Sequence, residues 1–171
     1  MLVWRKPAMG SVKCNIGSSW TASSQHTGAS WLIRDFQGQP MKHSRRSFSE
    51  VTSRLEADIT TICWAAKDLQ TLHWNRVIME ISSTQALEAL NNPHRFPGLS
   101  YLIECTHQAL SCFQSCLVEV VNVSANRVAD QIAVRVTNDG RWSSYIARGG
   151  PSWLNDTILA EAVNSPSSYS S

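Results

Sequence analysis

The sequence is poor in charge. Asp, Glu, Lys and Arg make up 16% of its 171 residues, against about a quarter in ordinary domains. Hydrophobic residues reach 43%, so over most of its length the chain lacks the charged, apolar-poor composition of disordered proteins. No apolar run approaches the roughly 18 residues that suggest a membrane span. Met1 to Gly10 has neither the apolar core nor the layout of a secretory signal. An intracellular protein, cytoplasmic or nuclear, is expected. A net charge of +2 permits nucleic-acid binding without arguing for it, because an electrostatic footprint would be more basic and more clustered. Five cysteines, an odd number without a secretory signal, favour reduced thiols. Cys112, Cys116 and His107 lack the second close ligand pair of a zinc site. No internal repeat, Ser-His-Asp arrangement or phosphate loop is found. Gly149-Gly150-Pro151 is turn chemistry with no strand-to-helix context.

What is present is a change of period along the chain. Val12, Cys14 and Ile16 alternate with Lys13, Asn15 and Gly17, which predicts a half-buried strand over 12–20. Further strands are expected at 28–35 and 41–48, with the turn Asp35 to Pro40 between them. From Ser49 the spacing becomes helical. Val51, Leu55, Ile59, Ile62, Ala66 and Leu69 form one stripe, with Ser49 and Glu50 as start chemistry. A strand at 76–81, helices near 83–90 and 97–112, a strand at 117–123 and a helix over 125–136 follow. Residues after about 138 lose periodicity, and 155–171 read as a flexible tail. The order βββ–α–β–α–α–β–α predicts an α/β domain over 1–154, a mixed sheet covered by helices.

That order, together with specific strings, resembles the ribonuclease H type 1 family, in particular its plant reverse-transcriptase-like branch. The strings are Trp4 to Cys14, Gly28 to Gly38, Ser53 to Leu69, Arg76 to Leu90 and Ala125 to Ala133, with Thr137 to Leu154 resembling a plant C-terminal extension. The resemblance implies a five-stranded sheet in the order 3-2-1-4-5 and hydrolysis of the RNA strand of RNA–DNA hybrids. It also implies four carboxylates that hold two Mg2+ ions, an arrangement suited to in-line displacement at phosphorus. Mapped onto this chain, the first carboxylate position is Gly17, in Asn15-Ile16-Gly17-Ser18. The second is Asp58, in Ala57-Asp58. The third is Ser82, in Glu80-Ile81-Ser82-Ser83. The fourth is Asp130, in Ala129-Asp130-Gln131. Only Asp58 and Asp130 keep a metal-binding group.

The helical geometry partly agrees. Asp58 lies about 20° beyond the edge of its apolar stripe, which aims it at the rim of the sheet. Asn126 and Asp130 share a helix face. Glu80, one pleat from Ser82 on the same strand face, is the candidate for a displaced third ligand. Lys42, Arg45 and Arg46, with His43 among them, form the local basic cluster. They are read either as phosphate contacts or as charges protecting an edge strand. Seven tryptophans suggest core packing, with Trp142 and Trp153 pinning the C-terminal extension. Three functions compete. The leading one is a nucleic-acid-binding ribonuclease H-like domain, for RNA–DNA hybrid or RNA, with impaired catalysis and weak or absent Mg2+ binding. The others are an active hybrid ribonuclease with a rearranged site and a protein-interaction module. No membrane partner is expected.

Overall fold

The computed structural model describes residues 3–140 and 143–165. Three strands, β1 (Val12–Thr21), β2 (His26–Arg34) and β3 (Pro40–Phe48), form an antiparallel meander. Helix α1 (Arg54–Thr71) leads to β4 (Arg76–Ile81), which pairs parallel with β1. Helices α2 (Thr84–Asn91) and α3 (Ser100–Ser111) lead to β5 (Ser115–Val120), parallel to β4. Helix α4 (Arg127–Asn138) then crosses the sheet. The first five strands stand in the expected order 3-2-1-4-5.

Two corrections come from the C-terminal region. Residues Tyr145–Arg148 form a sixth strand, β6, antiparallel to β3, so the sheet runs β5-β4-β1-β2-β3-β6. Residues Asn155–Asn164, expected to begin a flexible tail, form helix α5. Because β6 covers β3 from Lys42 to Arg45, β3 is an interior strand there, and edge protection does not explain its basic residues. His43 helps seat the added strand. Its Nδ1 is 2.7 Å from Gly149 O and its Nε2 is 3.2 Å from the Tyr145 hydroxyl. Burial pushes the pKa of His43 down, which favours the neutral ring in this seat. The tail beyond 165 and Trp142 lie outside the described residues.

The sheet is buried on both faces. On one, Cys14, Ile16, Trp31, Ile33, Val77 and Met79 meet Ile59, Ile62, Ala66 and Leu69 of α1 and Ile103 of α3. On the other, Leu32 packs with Val128 and Ile132 of α4 and with Leu154 and Ile158 from the C-terminal region. Trp31, Leu32 and Ile33 accordingly stand in succession in β2, and nearly every residue of the strand is buried, the polar Thr27, Ser30 and Arg34 included. Helix α1 starts later than its stripe suggested. Ser53 is the cap, its Oγ accepting from Glu56 N at 3.1 Å, while Glu56 reaches back to Thr52 N at 2.9 Å. No helix among the described residues is long and apolar enough to cross a membrane.

Candidate functional site

Helix α4 lies almost on the backbone of β1 and β2, and small residues make that approach fit. Ser30 Oγ donates to Ala129 O at 2.6 Å. A Cβ added at Gly17 would fall far inside contact distance of the same carbonyl and 2.7 Å from Ser30 Oγ. Gly17 does not have positive φ. Glycine is required there by the closeness of the helix, not by backbone conformation.

Beside this seat, where β1 and β4 emerge next to α1 and α4, a cleft of about 450 Å3 opens. Its lining includes Ser18, Arg54, Asp58, Ser82, Ser83 and Asp130. Three of the four mapped positions, Asp58, Ser82 and Asp130, thus share one cavity. Gly17 does not line it: Ile16 and Ser18 on either side do, while Gly17 is turned under α4. A row of buried amides supports the floor. Trp4 Nε1 donates to Asn15 Oδ1 at 2.9 Å, and Asn15 Nδ2 to Asn126 Oδ1 at 3.0 Å. Asn126 Nδ2 donates to Ile16 O at 2.8 Å and Ser82 Oγ at 2.9 Å, and Ser82 Oγ donates to Asp130 Oδ2 at 3.4 Å. Asn126 is 1% exposed. These bonds account for its presence, since a buried amide must be satisfied.

Glu80, the candidate displaced ligand, is placed outside the cleft. It is buried, 3.1 Å from Lys13 Nζ, and accepts from Asn15 Nδ2 at 3.1 Å. It is absent from the cleft lining, and its charge is already matched by Lys13. Nor do Lys42, Arg45 or Arg46 line the cleft. Arg45 folds over Tyr145, 4.8 Å from the ring, and the exposed Arg46 lies 4.7 Å from Phe48. The cation of the cleft is Arg54. It was legible in sequence as the residue one helical turn before Asp58, on the same face. Among the described residues no group of three or more His, Cys, Asp and Glu side chains is arranged to hold a metal ion.

Both cleft acids are held in an unfavourable environment. Burial raises the pKa of Asp58, opposed by a hydrogen bond from Ser83 and by the charge of Arg54. Burial pushes Asp130 up to about 6, with the charge of Asp58 adding to the rise and the Ser82 hydrogen bond opposing it. The unfolded chain holds Asp near 4, so between these values the folded state binds the extra proton. Stability therefore falls as pH rises from about 4 to about 6, and the penalty is complete above that. Asp130→Asn should raise the melting temperature at pH 7.5, by the equivalent of at most about 3 kcal/mol. It should change little at pH 4. Paired thermal melts of both proteins at the two pH values check this; equal shifts at both would show that Asp130 is not strained by its charge.

Residues 15–136 match the family model described as reverse transcriptase-like. The chain belongs to this ribonuclease H type 1-like family. The match spans the strands β1 to β5 and most of α4, and so includes all four mapped positions. RNase H1 from the halophilic archaeon Halobacterium salinarum is similar in structure, with a TM-score of 0.69 at 14% identity, covering 76% of this chain and 99% of that one. A type 1 RNase H described as carrying the type 2 active-site motif gives 0.69 at 13% identity, covering 95% and 89%. An RNase H1 isolated from compost, solved in complex with RNA/DNA hybrid, gives 0.66 at 14%, covering 76% and 99%. At these identities the likeness shows the ribonuclease H fold. A protein phosphatase 2C-like protein of Arabidopsis thaliana is 55% identical over 42 residues, which is 25% of this chain and 17% of that protein. So short a shared segment does not carry a phosphatase activity across.

Proposed function

We propose that this ribonuclease H type 1-like domain binds nucleic acid, RNA–DNA hybrid or RNA, through a cleft whose hydrolytic centre has been dismantled. One observation carries the reading. The cleft keeps Asp58 and Asp130, while the other two carboxylate positions are Gly17, closed off by α4, and the neutral Ser82. The donor set does not fit the family's pair of Mg2+ ions. Magnesium needs hard, mostly anionic oxygens, and here two carboxylates face Arg54 in the same cavity. No hydrolytic step is therefore derived. What remains suits contact with a ribose-phosphate strand: hydroxyls of Ser82 and Ser83 and the guanidinium of Arg54 at the opening. Lys42 and Arg46, which share a face of β3 away from the cleft, are outlying phosphate contacts in this reading.

A labelled RNA–DNA hybrid tests it in two parts. Fluorescence anisotropy should show binding that weakens as salt rises and persists in EDTA. Incubation with Mg2+ or Mn2+ should leave the RNA strand intact. Cleavage by the unmodified protein, abolished by Asp58→Asn or Asp130→Asn, would mean that the missing ligands are supplied elsewhere. Absence of any salt-dependent binding would favour a protein-interaction module.

A further inference from the structure

The outward face of α4 carries a feature that the cleft does not explain. Against it lies an open groove of about 540 Å3, lined among others by Val123, Arg127, Asp130, Val134, Arg135 and Trp153. Val123 and Val134 are exposed, and Trp153 is 43% exposed. The Arg135 guanidinium stacks on the indole 4.0 Å from its centroid. Trp153 was expected to pin the C-terminal extension. It does so from the surface, through Arg135, and leaves much of its own area open. The groove is continuous with the cleft, because Val123, Asp130 and Val134 line both.

We propose that this groove takes an unpaired nucleobase from a strand running out of the cleft, with Trp153 and Arg135 as the stacking surface and Arg127 facing the flanking phosphate. The inference rests on the nucleic-acid-binding reading above and names the form of the ligand: a duplex with a single-stranded extension. The floor is apolar and aromatic, which suits the flat face of a base of any sequence. Arg127 and Arg135 place two cations on the walls against one acid, Asp130, which sits at the junction with the cleft. An apolar protein segment would gain nothing from those charges, whereas a base carries its phosphate with it. A volume of this order falls within the range of small-ligand pockets and so has room for a nucleotide. Glu161, on α5, also feels the charge of Arg127, but it does not line the groove.

The test compares, on the full chain, a blunt RNA–DNA hybrid with the same hybrid carrying a short unpaired overhang, by anisotropy at fixed salt. The overhang should tighten binding about tenfold, within the range of base–aromatic stacking. Trp153→Ala should bring the ratio of the two affinities to about one, and Trp153→Phe, which keeps a ring, should retain most of it. Circular dichroism confirms that each variant is folded, and Arg135→Gln provides a second variant that leaves the indole in place and should reduce the ratio. Binding of both hybrids with equal affinity would overturn the stacking proposal while leaving the nucleic-acid reading intact. Binding of neither would overturn both. A ratio unchanged in folded Trp153→Ala and Arg135→Gln would place the overhang elsewhere and overturn the groove.

Discussion

Arg34→Ala should destabilise the domain by about 3–5 kcal/mol, the cost of leaving a buried charge unpaired, and should loosen α5 first. Arg34 is 1% exposed at the end of β2. Its Nε donates to Gly38 O at 3.1 Å and its Nη2 to Ile158 O at 2.7 Å. Its Nη1 lies 3.1 Å from Glu161 Oε1. The guanidinium also covers the Trp4 ring at 3.6 Å. One side chain thereby ties the N-terminal segment, the β2–β3 turn and the C-terminal helix to each other. Burial shifts the pKa of both partners towards the neutral form, Arg34 down and Glu161 up, and each partner's charge opposes the other's shift. Removing Arg34 leaves the half-buried Glu161 with only the charge of Arg127 to oppose its desolvation, and two backbone carbonyls without their donor. Arg34→Met combined with Glu161→Met should recover much of the loss, because the desolvation cost is removed with the charges. Guanidinium chloride unfolding gives the stabilities, and hydrogen exchange reports whether α5 opens before the sheet. A loss under about 1 kcal/mol for Arg34→Ala would show that the pair contributes no more than a surface salt bridge.

The second large effect is expected at position 17. Gly17→Asp restores a family carboxylate in sequence but should cost about 2–3 kcal/mol, in the range of core overpacking. For a domain of this size that is a fall in melting temperature of roughly 5–10 °C. The cause is the Ala129 carbonyl, which is backbone and cannot swing aside, together with Ser30 Oγ at 2.7 Å from the new Cβ. Ser82→Asp should behave differently. Ser82 is at the open rim, its Oγ 3.4 Å from Asp130 Oδ2, so a carboxylate there adds a third anionic donor beside Asp58 and Asp130. Without metal the added charge should push Asp130 still higher. With Mg2+ present, calorimetry should register a binding heat that the unmodified protein lacks. If Gly17→Asp were as stable as the parent, α4 would have to be free to move, and the tight seat described for it would be wrong.

How far the sequence foretold this depends on the type of signal. The apolar stripe, five of whose six residues lie on α1, and the alternation on β1 are dense, periodic and long, and both elements stand within a few residues of expectation. The later start of α1 was also written in the chain, as the Ser53 to Glu56 capping pair, but Ser49 and Glu50 offered competing start chemistry. Strand β6 escaped because it has four residues, and α5 because it buries only Ile158 among its ten. Neither leaves a period to read. At the site, Asp58, Ser82 and Asp130 come together as the motif strings implied. The neutralisation of Glu80 by Lys13 was not legible, because it depends on which of two same-face side chains a lysine on the neighbouring strand reaches. Arg34 was invisible for a similar reason: two of its partners, Ile158 and Glu161, lie about 125 residues away, in a segment with no pattern of its own.

The seat of α4 bears on the history of the domain. At Gly28, as at Gly17, an added Cβ would run into a helix carbonyl, here that of Ala133, and would come within 2.9 Å of Val136 Cβ. Two glycines on neighbouring strands thus let the helix settle a step closer to the sheet than side chains would permit. Once it has settled, the change at position 17 works like a ratchet. A single base change that restored an acidic codon there would meet a backbone with nowhere to go, and the variant would suffer before any chemistry returned. A carboxylate at position 17 would first require α4 to lift, through substitutions at Ser30, Ala129 or Ala133 that bring no advantage by themselves. Lineages that share this glycine are therefore expected to keep it, and to accumulate their further changes at the open rim, around Ser82 and Arg54, where side chains can be exchanged without moving the helix.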